Sequence, residues 1–504
     1  MRTALILLFL LALAAIPGSV IPQQAVDSMR VSRWKSQHPS LTPLYEKLHL
    51  FNVYGSPWFA AIYLLLMISL VGCILPRLRV YWRGLRAAPP TAPRNLARLP
   101  EHRRWSTTAS PEDVTRAARH VLSKRRFRLR PDTVATEVAG QRGYLREAGN
   151  LLFHTSLLIV LAGYGIGALF GFQGTVIVVT GNGFSNSVSQ YDDFKPGGAF
   201  STNNLRPFNF TVNNFHVTFI REGRGAGAAS NFYANLTVRT PNAKPKSERI
   251  SVNHPLSMNG NQVFLLGHGY APHITVRDGD GQVAYSGTTI FLPEAQDLTS
   301  FGVVKAPDAQ PTQLALEGEF YPTYAFTMKT GPFTAFPDAR NPAISMLAYQ
   351  GDLGMNTGTP QSIYKIDKTN MRVIKRSDGK PARVDLALGA TQKLPNGLGT
   401  VTFDGLQRFI RLQVSQAPGT RITLGGTVLA LLGLLGSLFI RPRRVWIRAQ
   451  RDGDETSIEL AGLDRSSGGD LARELDELAR LIHDGVTDAQ KATAPEPRRT
   501  DSPV

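Results

Sequence analysis

A single cysteine, Cys73, stands in a chain of 504 residues. One thiol excludes an intramolecular disulfide, a CxxC redox pair and any cysteine-based zinc centre, so the chain cannot itself run a dithiol exchange. Acidic residues are scarce as well: 38 against 56 Lys and Arg leave a formal charge of +18. Nucleic acid is not the partner this implies, because no basic stretch coincides with a reading motif. Arginine-rich loops beside membrane spans explain the excess more simply. Also missing are the phosphate loop, the dinucleotide fingerprint, the nucleophile elbow and the HExxH pattern. A stand-alone enzyme is left without a constellation.

What the chain does have is four apolar runs in a polar majority. Residues 1–21 read as a first span. The run is longer than the apolar core of about 7–15 residues in a secretory signal and lacks an A-x-A-like end. An uncleaved span is therefore favoured over a cleaved signal peptide. Residues 22–57 form a short loop, with an amphipathic segment at Leu44–Phe51 expected to lie along the membrane surface. The second span, 58–75, has Tyr54, Trp58 and Tyr63 at one interface and Arg77, Arg79 and Arg83 at the other. Cys73 falls near that basic end and reads as a small buried hydrophobe. The third span, 147–172, contains Leu151–Phe172, a run with no Asp, Glu, Lys or Arg and long enough to cross a core of about 30 Å. The fourth, 422–440, stops at Arg441-Pro442-Arg443-Arg444. Taken with the basic flanks, four spans put both termini in the cytoplasm and residues 173–421 outside.

Between the spans the texture changes twice. Residues 76–146 form a basic loop with a helix start at Ser110-Pro111-Glu112-Asp113, where serine caps, proline occupies the first turn and acids face the dipole. Phe127–Arg130 and Val134–Val138 alternate like strands, so this loop is expected to be a small α/β module. Residues 173–421 are rich in Gly, Asn and Pro with short β-branched or aromatic runs at Thr175–Thr180, Phe208–Phe219, Phe232–Val238, Gln262–Leu266 and His273–Arg277. Asp278-Gly279-Asp280-Gly281 reads as a turn. The alternation shifts phase at Asn213-Asn214, which predicts a bulge or turn there. The fold class is thus a membrane protein with four transmembrane α-helices and a large, mainly antiparallel β domain. In the tail, 441–504, Asp470 caps an amphipathic helix bearing Leu471, Leu475, Leu478 and Ile482 on one face. Beyond Gly485 disorder is expected.

The candidate site residues are His154, in the third span, and Asn150, one turn earlier. An ionisable group inside an apolar helix is costly and marks function by default. A neutral imidazole gluing helices through Asn150 or a carbonyl is the alternative, and the residues alone leave both open. Gly163, Gly167 and Gly171 form a small-xxx-small ladder about 180–260° around the helix from His154, so packing and polar faces point to different neighbours. His254, His268 and His273 cluster in the β region but lack a recognised ligand spacing; they read as surface or strand-end histidines.

The order of these parts resembles the ResB family of System II cytochrome c biogenesis proteins, its actinobacterial type in particular. The resemblance is carried by ALAAIPGSVIPQ, FNVYGSPWFAAIYLLLMISLVGCILPR, LREAGNLLFHTSLLIVLAGYGIGALFG, GTVIVVTGNGF, GHGYAPHITVRDGDG and RRVWIR. It implies haem b carried in transit with His154 as an axial ligand to the haem iron. It also implies a tryptophan-rich WWD-domain membrane partner of the ResC/CcsA type, a thioredoxin-like partner of the ResA/CcsX type, and apocytochrome c as the recipient. The five tryptophans here are scattered. The chain is therefore not a self-sufficient fused form but an assembly subunit, at most part of a haem lyase complex. A membrane-anchored ligand-binding or sensor protein is the reading from another class.

Overall fold

Four helices are long and apolar enough to cross a membrane: Arg2–Val20, Pro57–Arg86, Leu145–Phe170 and Thr420–Phe439. Many of their large apolar side chains point outward, with Phe9, Leu64 and Leu424 each more than half exposed. Such a surface is matched by lipid and not by water. The computed structural model describes residues 2–24, 26, 28–131, 135–241, 243–355, 361–464 and 470–493. The chain divides into two units, Met1–Gly165 with Gly419–Val504, and Ile166–Pro418.

In the first unit, the second span outruns its expected end at 75. It continues through Pro76 to Arg86, so Arg77, Arg79 and Arg83 lie on the helix. Its last carbonyls, on Leu85 and Arg86, accept from the Arg128 guanidinium, a cation at the negative end of the helix dipole. The segment expected to lie along the surface, Leu44–Phe51, is made of a short helix, Thr42–Lys47, and a 3₁₀ stretch, Leu50–Gly55. Phe51 and Val53 turn inward while Leu44 and Leu48 stay exposed. Trp34 stacks on Tyr45 with ring centroids 4.7 Å apart, and the Gln23 side chain bridges Leu50 O at 2.9 Å and Val53 N at 3.0 Å.

The third and fourth spans touch along a seam of small residues. Gly149, Ser156 and Gly163 are the buried residues of one helix, and Gly426 and Gly433 those of the other. Both sets recur every seven residues, the repeat that holds a seam on one face of a helix pair. A methyl group at Gly149 would lie 2.6 Å from Ser437 N, and one at Gly433 2.5 Å from Phe153 N, so the backbones meet directly. Gly167 has open space beside it. The expected four-residue ladder is thus a seven-residue seam to which only Gly163 of the three belongs.

The basic loop and the tail fold together. An antiparallel sheet runs in the order Glu101–Thr107, Glu455–Asp464, Arg443–Asp452, Glu137–Arg142, Arg128–Leu129. The tail therefore contributes two central strands that its sequence had not announced. Helices Pro111–Lys124 and Leu471–Thr493 cover one face, burying Val114, Leu122, Leu475, Leu478 and Ile482 against Val445, Ile447 and Leu460. Ser110 caps the first of these, accepting from Asp113 N at 3.2 Å. Asp470 caps the second, accepting from Arg473 N at 3.1 Å. The second helix runs past Gly485, where disorder had been expected to begin; residues 494–504, like Val134, lie outside the described residues. Several of the arginines are structural: Arg103 pairs with Asp476 at 2.6 Å, Arg448 with Glu137 at 2.8 Å, and Arg443 with Glu474.

The second unit is an antiparallel β domain built on one long ribbon. Strand Asn261–Arg277 pairs with strand Thr400–Gln416 along their whole lengths. Gln262–Leu266 and His273–Arg277, which read as separate strands, are its two ends. One end, with Phe172–Val179, packs on the sheet of Gly183–Ser185, Asn209–Phe219, Ala229–Arg239 and Lys246–Ser251, enclosing Phe184, Phe210, Leu236, Val263 and Leu412. The other end packs on a sheet that includes Ser300–Ala306, Gln313–Tyr321 and Ala343–Gly351, around Tyr270, Phe291, Phe320, Met346 and Phe403. Two sandwiches thus share a spine. The register shifts between Val212 and Asn214, a bulge where the phase break predicted one. Asp278 holds its turn by accepting from Asp280 N at 3.1 Å and Gln282 N at 2.9 Å.

Candidate functional site

Helical spacing brings one stripe from each of three spans to a common cavity of about 360 Å³ in the first unit. Leu5, Leu8 and Leu11 recur every three residues on the first span. Cys73, Arg77 and Tyr81 recur every four on the second, and Glu147, Asn150 and His154 every three or four on the third. Leu66, Leu70, Leu157 and Leu161 close the far end. The lining is apolar with a few convergent polar groups, which is the usual make-up of a small-molecule site. The second and third spans are also joined directly, since Tyr63 Oη donates to the Leu161 carbonyl.

His154 is half-buried in this wall. Its Nδ1 lies 2.8 Å from the Asn150 main-chain carbonyl. A carbonyl can only accept, so Nδ1 is the donor, and in the neutral ring Nε2 then keeps its lone pair. The ring is also fixed by Phe153, edge-on at 5.3 Å. The sequence paired His154 with Asn150, one turn earlier. The orienting atom is its backbone oxygen, which any residue at 150 would supply, while the Asn150 side chain separately lines the cavity. An imidazole held by one nitrogen and open at the other is the form in which histidine ligates iron and zinc.

Cys73, read as a buried hydrophobe, is on the cavity wall. Arg77, Tyr81 and Glu147 are there too, and sequence reasoning missed all three. A signal existed: Cys73, Arg77 and Tyr81 fall on one face if the second helix is carried past Pro76.

The other histidines do not converge on a metal. Among the described residues no group of three or more His, Cys, Asp or Glu side chains is placed to hold one. His273 lies 3.5 Å from Asp404, and His254 sits in a turn against Ser251. His268 is boxed by Phe215 at 5.0 Å, Phe232 at 5.2 Å and Phe219 at 6.1 Å. Burial there, with the Arg408 charge alongside, holds its pKa down to about 4, so the ring is neutral at pH 7.

A model of the ResB-like family matches residues 1–476. Among curated proteins, the cytochrome c biogenesis protein CcsB of Synechococcus sp. (strain WH7803) is 29% identical over 335 residues, covering 65% of this chain and 72% of that protein. The CcsB of Prochlorococcus marinus (strain MIT 9303) is 25% identical over 394 residues, covering 76% and 82%. That of Synechococcus sp. (strain JA-2-3B'a(2-13)) is 24% identical over 345 residues, covering 63% and 68%.

Proposed function

Since this chain belongs to the ResB-like family, we propose that it holds haem b between its membrane spans and, with a WWD-domain partner, passes it to apocytochrome c. A role in cytochrome c biogenesis follows from the family and from the names its relatives carry. The finer reading is supported by one observation above others: His154, tied through Nδ1 to Asn150 O at 2.8 Å, offers Nε2 in an apolar cavity. Bound haem would supply an iron atom and a flat apolar body. His154 would ligate the first, and the leucines of three spans would enclose the second.

Thiol chemistry on apocytochrome falls to a separate thioredoxin-like protein in this reading, in keeping with the lone Cys73. The haem-bearing complex has the β domain outside and both termini inside, supported by arginines at 77, 79 and 83, at 146 and at 441, 443 and 444. Reporter fusions at Arg94, Asn203 and the C-terminus test this. Alkaline phosphatase should be active only at Asn203, and activity at Arg94 would reverse the topology.

The direct test is His154→Ala in the purified complex. Co-purifying haem should fall at least tenfold and cytochrome c maturation should stop while the protein still inserts. Added imidazole should restore part of the haem signal by occupying the open coordination position. A variant that keeps normal haem with an unchanged absorption spectrum would leave His154 as helix glue.

A further inference from the structure

Polarity in the cavity is sorted along its length. Arg77 and Tyr81 on the second span, and Glu147 and Asn150 on the third, line the end nearest the sheet module; beyond Cys73 and His154 the wall is aliphatic. Glu147 stands seven residues nearer the module than His154, about 10 Å along the helix axis. Arg77 is one turn, and Tyr81 two turns, beyond Cys73 in the same direction. Among the described lining residues Arg77 is the only cation and Glu147 the only carboxylate. Arg77 is thus the one group at that end able to bind an anion by charge.

A ligand matched to this gradient is amphiphilic. Its apolar body lies among the leucines, and its polar edge meets a guanidinium and a phenol at the module end of the cavity. Ionised carboxylates answer to that pair, because a guanidinium binds a carboxylate through a fork of parallel N–H donors and a phenol adds one more. We propose that Arg77, with Tyr81 beside it, reads the carboxylate edge of the cargo and fixes which way round it stands. This rests on the haem reading of the cavity and adds to it a specificity-determining residue on a different helix from His154. It also assigns the 76–86 extension of the second span a function: without the extra turns beyond Pro76 neither Arg77 nor Tyr81 would reach the cavity on a continuous helix face.

The test compares two ligands that differ only at that edge. Full-length protein in detergent is titrated with haem b and with its dimethyl ester, and binding is followed by the absorption spectrum. Wild type should bind haem b at least about tenfold more tightly than the diester, the size expected of a charge-assisted hydrogen bond. Arg77→Gln should erase the preference by weakening haem b alone. Its unchanged affinity for the diester doubles as the check that the variant is folded. Arg77→Lys, which keeps the charge and loses the fork, should fall between. If Arg77→Gln and wild type bind both ligands alike, with a spectrum that His154→Ala abolishes, the haem reading stands and the assignment to Arg77 falls. If wild type binds neither ligand, both fall together.

Discussion

His268 shows what a buried histidine costs. In the unfolded chain it titrates near 6.5, while in the Phe215, Phe219 and Phe232 box its pKa is depressed to about 4. The sign follows from that direction. Above pH 6.5 the ring is neutral in both states and stability is full. As pH falls toward 4 only the unfolded chain takes up the proton, and roughly 2–3 kcal/mol is lost. The β domain should therefore melt earlier at pH 4.5 than at pH 7, and His268→Leu should flatten that dependence. Equal slopes in thermal unfolding of wild type and variant would contradict it. Cys73 gives a second case at this scale. Cys73→Ser should leave maturation essentially intact, because a lone thiol runs no dithiol exchange. Cys73→Phe adds a ring to the cavity wall and should deplete co-purifying haem several-fold; haem content of the purified protein reads both.

Helices and strands were legible in proportion to how local their cause was. The four spans could be read because about 20 apolar residues have few other uses. Serine and aspartate caps at Ser110 and Asp470 were equally plain, since a cap is a contact within one turn. The strand Asn261–Arg277 was cut in two by Gly267, Gly269 and Pro272, which look like loop punctuation. They stay in the ladder for tertiary reasons. A side chain at Gly269 would strike the Phe409 ring, and Pro272, lacking an N–H, still accepts from Thr289 at 2.8 Å. His154 was legible as a charge-capable group in an apolar run. Arg77 and Tyr81 share the Cys73 face by helical spacing, but only packing between helices shows that they and Glu147 share a cavity. The seam between the third and fourth spans is a test at this scale. Gly149→Leu or Gly433→Leu should separate the helices at a cost of about 3 kcal/mol or more, and Gly167→Leu should be tolerated. Thermal stability of the detergent-solubilised variants measures the contrast.

At the scale of the whole molecule, the sheet module is discontinuous in sequence. Its strands Arg443–Asp452 and Glu455–Asp464 lie between those of the loop, and removing them leaves Glu101–Thr107 without a neighbour. A chain stopped at Ile440 should therefore lose the fold of residues 90–142, seen as new protease cleavage there in membrane vesicles. Co-expression of residues 441–493 as a separate piece should restore protection. Unchanged protection in the truncated chain would mean that the loop folds alone.

The pairing of Arg142 with Arg443 also sets an order of events. Strand Glu137–Arg142 leaves the ribosome early, and its partner follows about 300 residues later, roughly 15–60 s at ordinary elongation rates. During that interval the loop half of the module has an open edge, and Leu85 and Arg86 await a fully supported Arg128. The second and third spans, which carry Arg77 and His154, are anchored to this module at their near ends. A chain stopped before the tail strands would insert its helices with the loop half of the module still open at one edge.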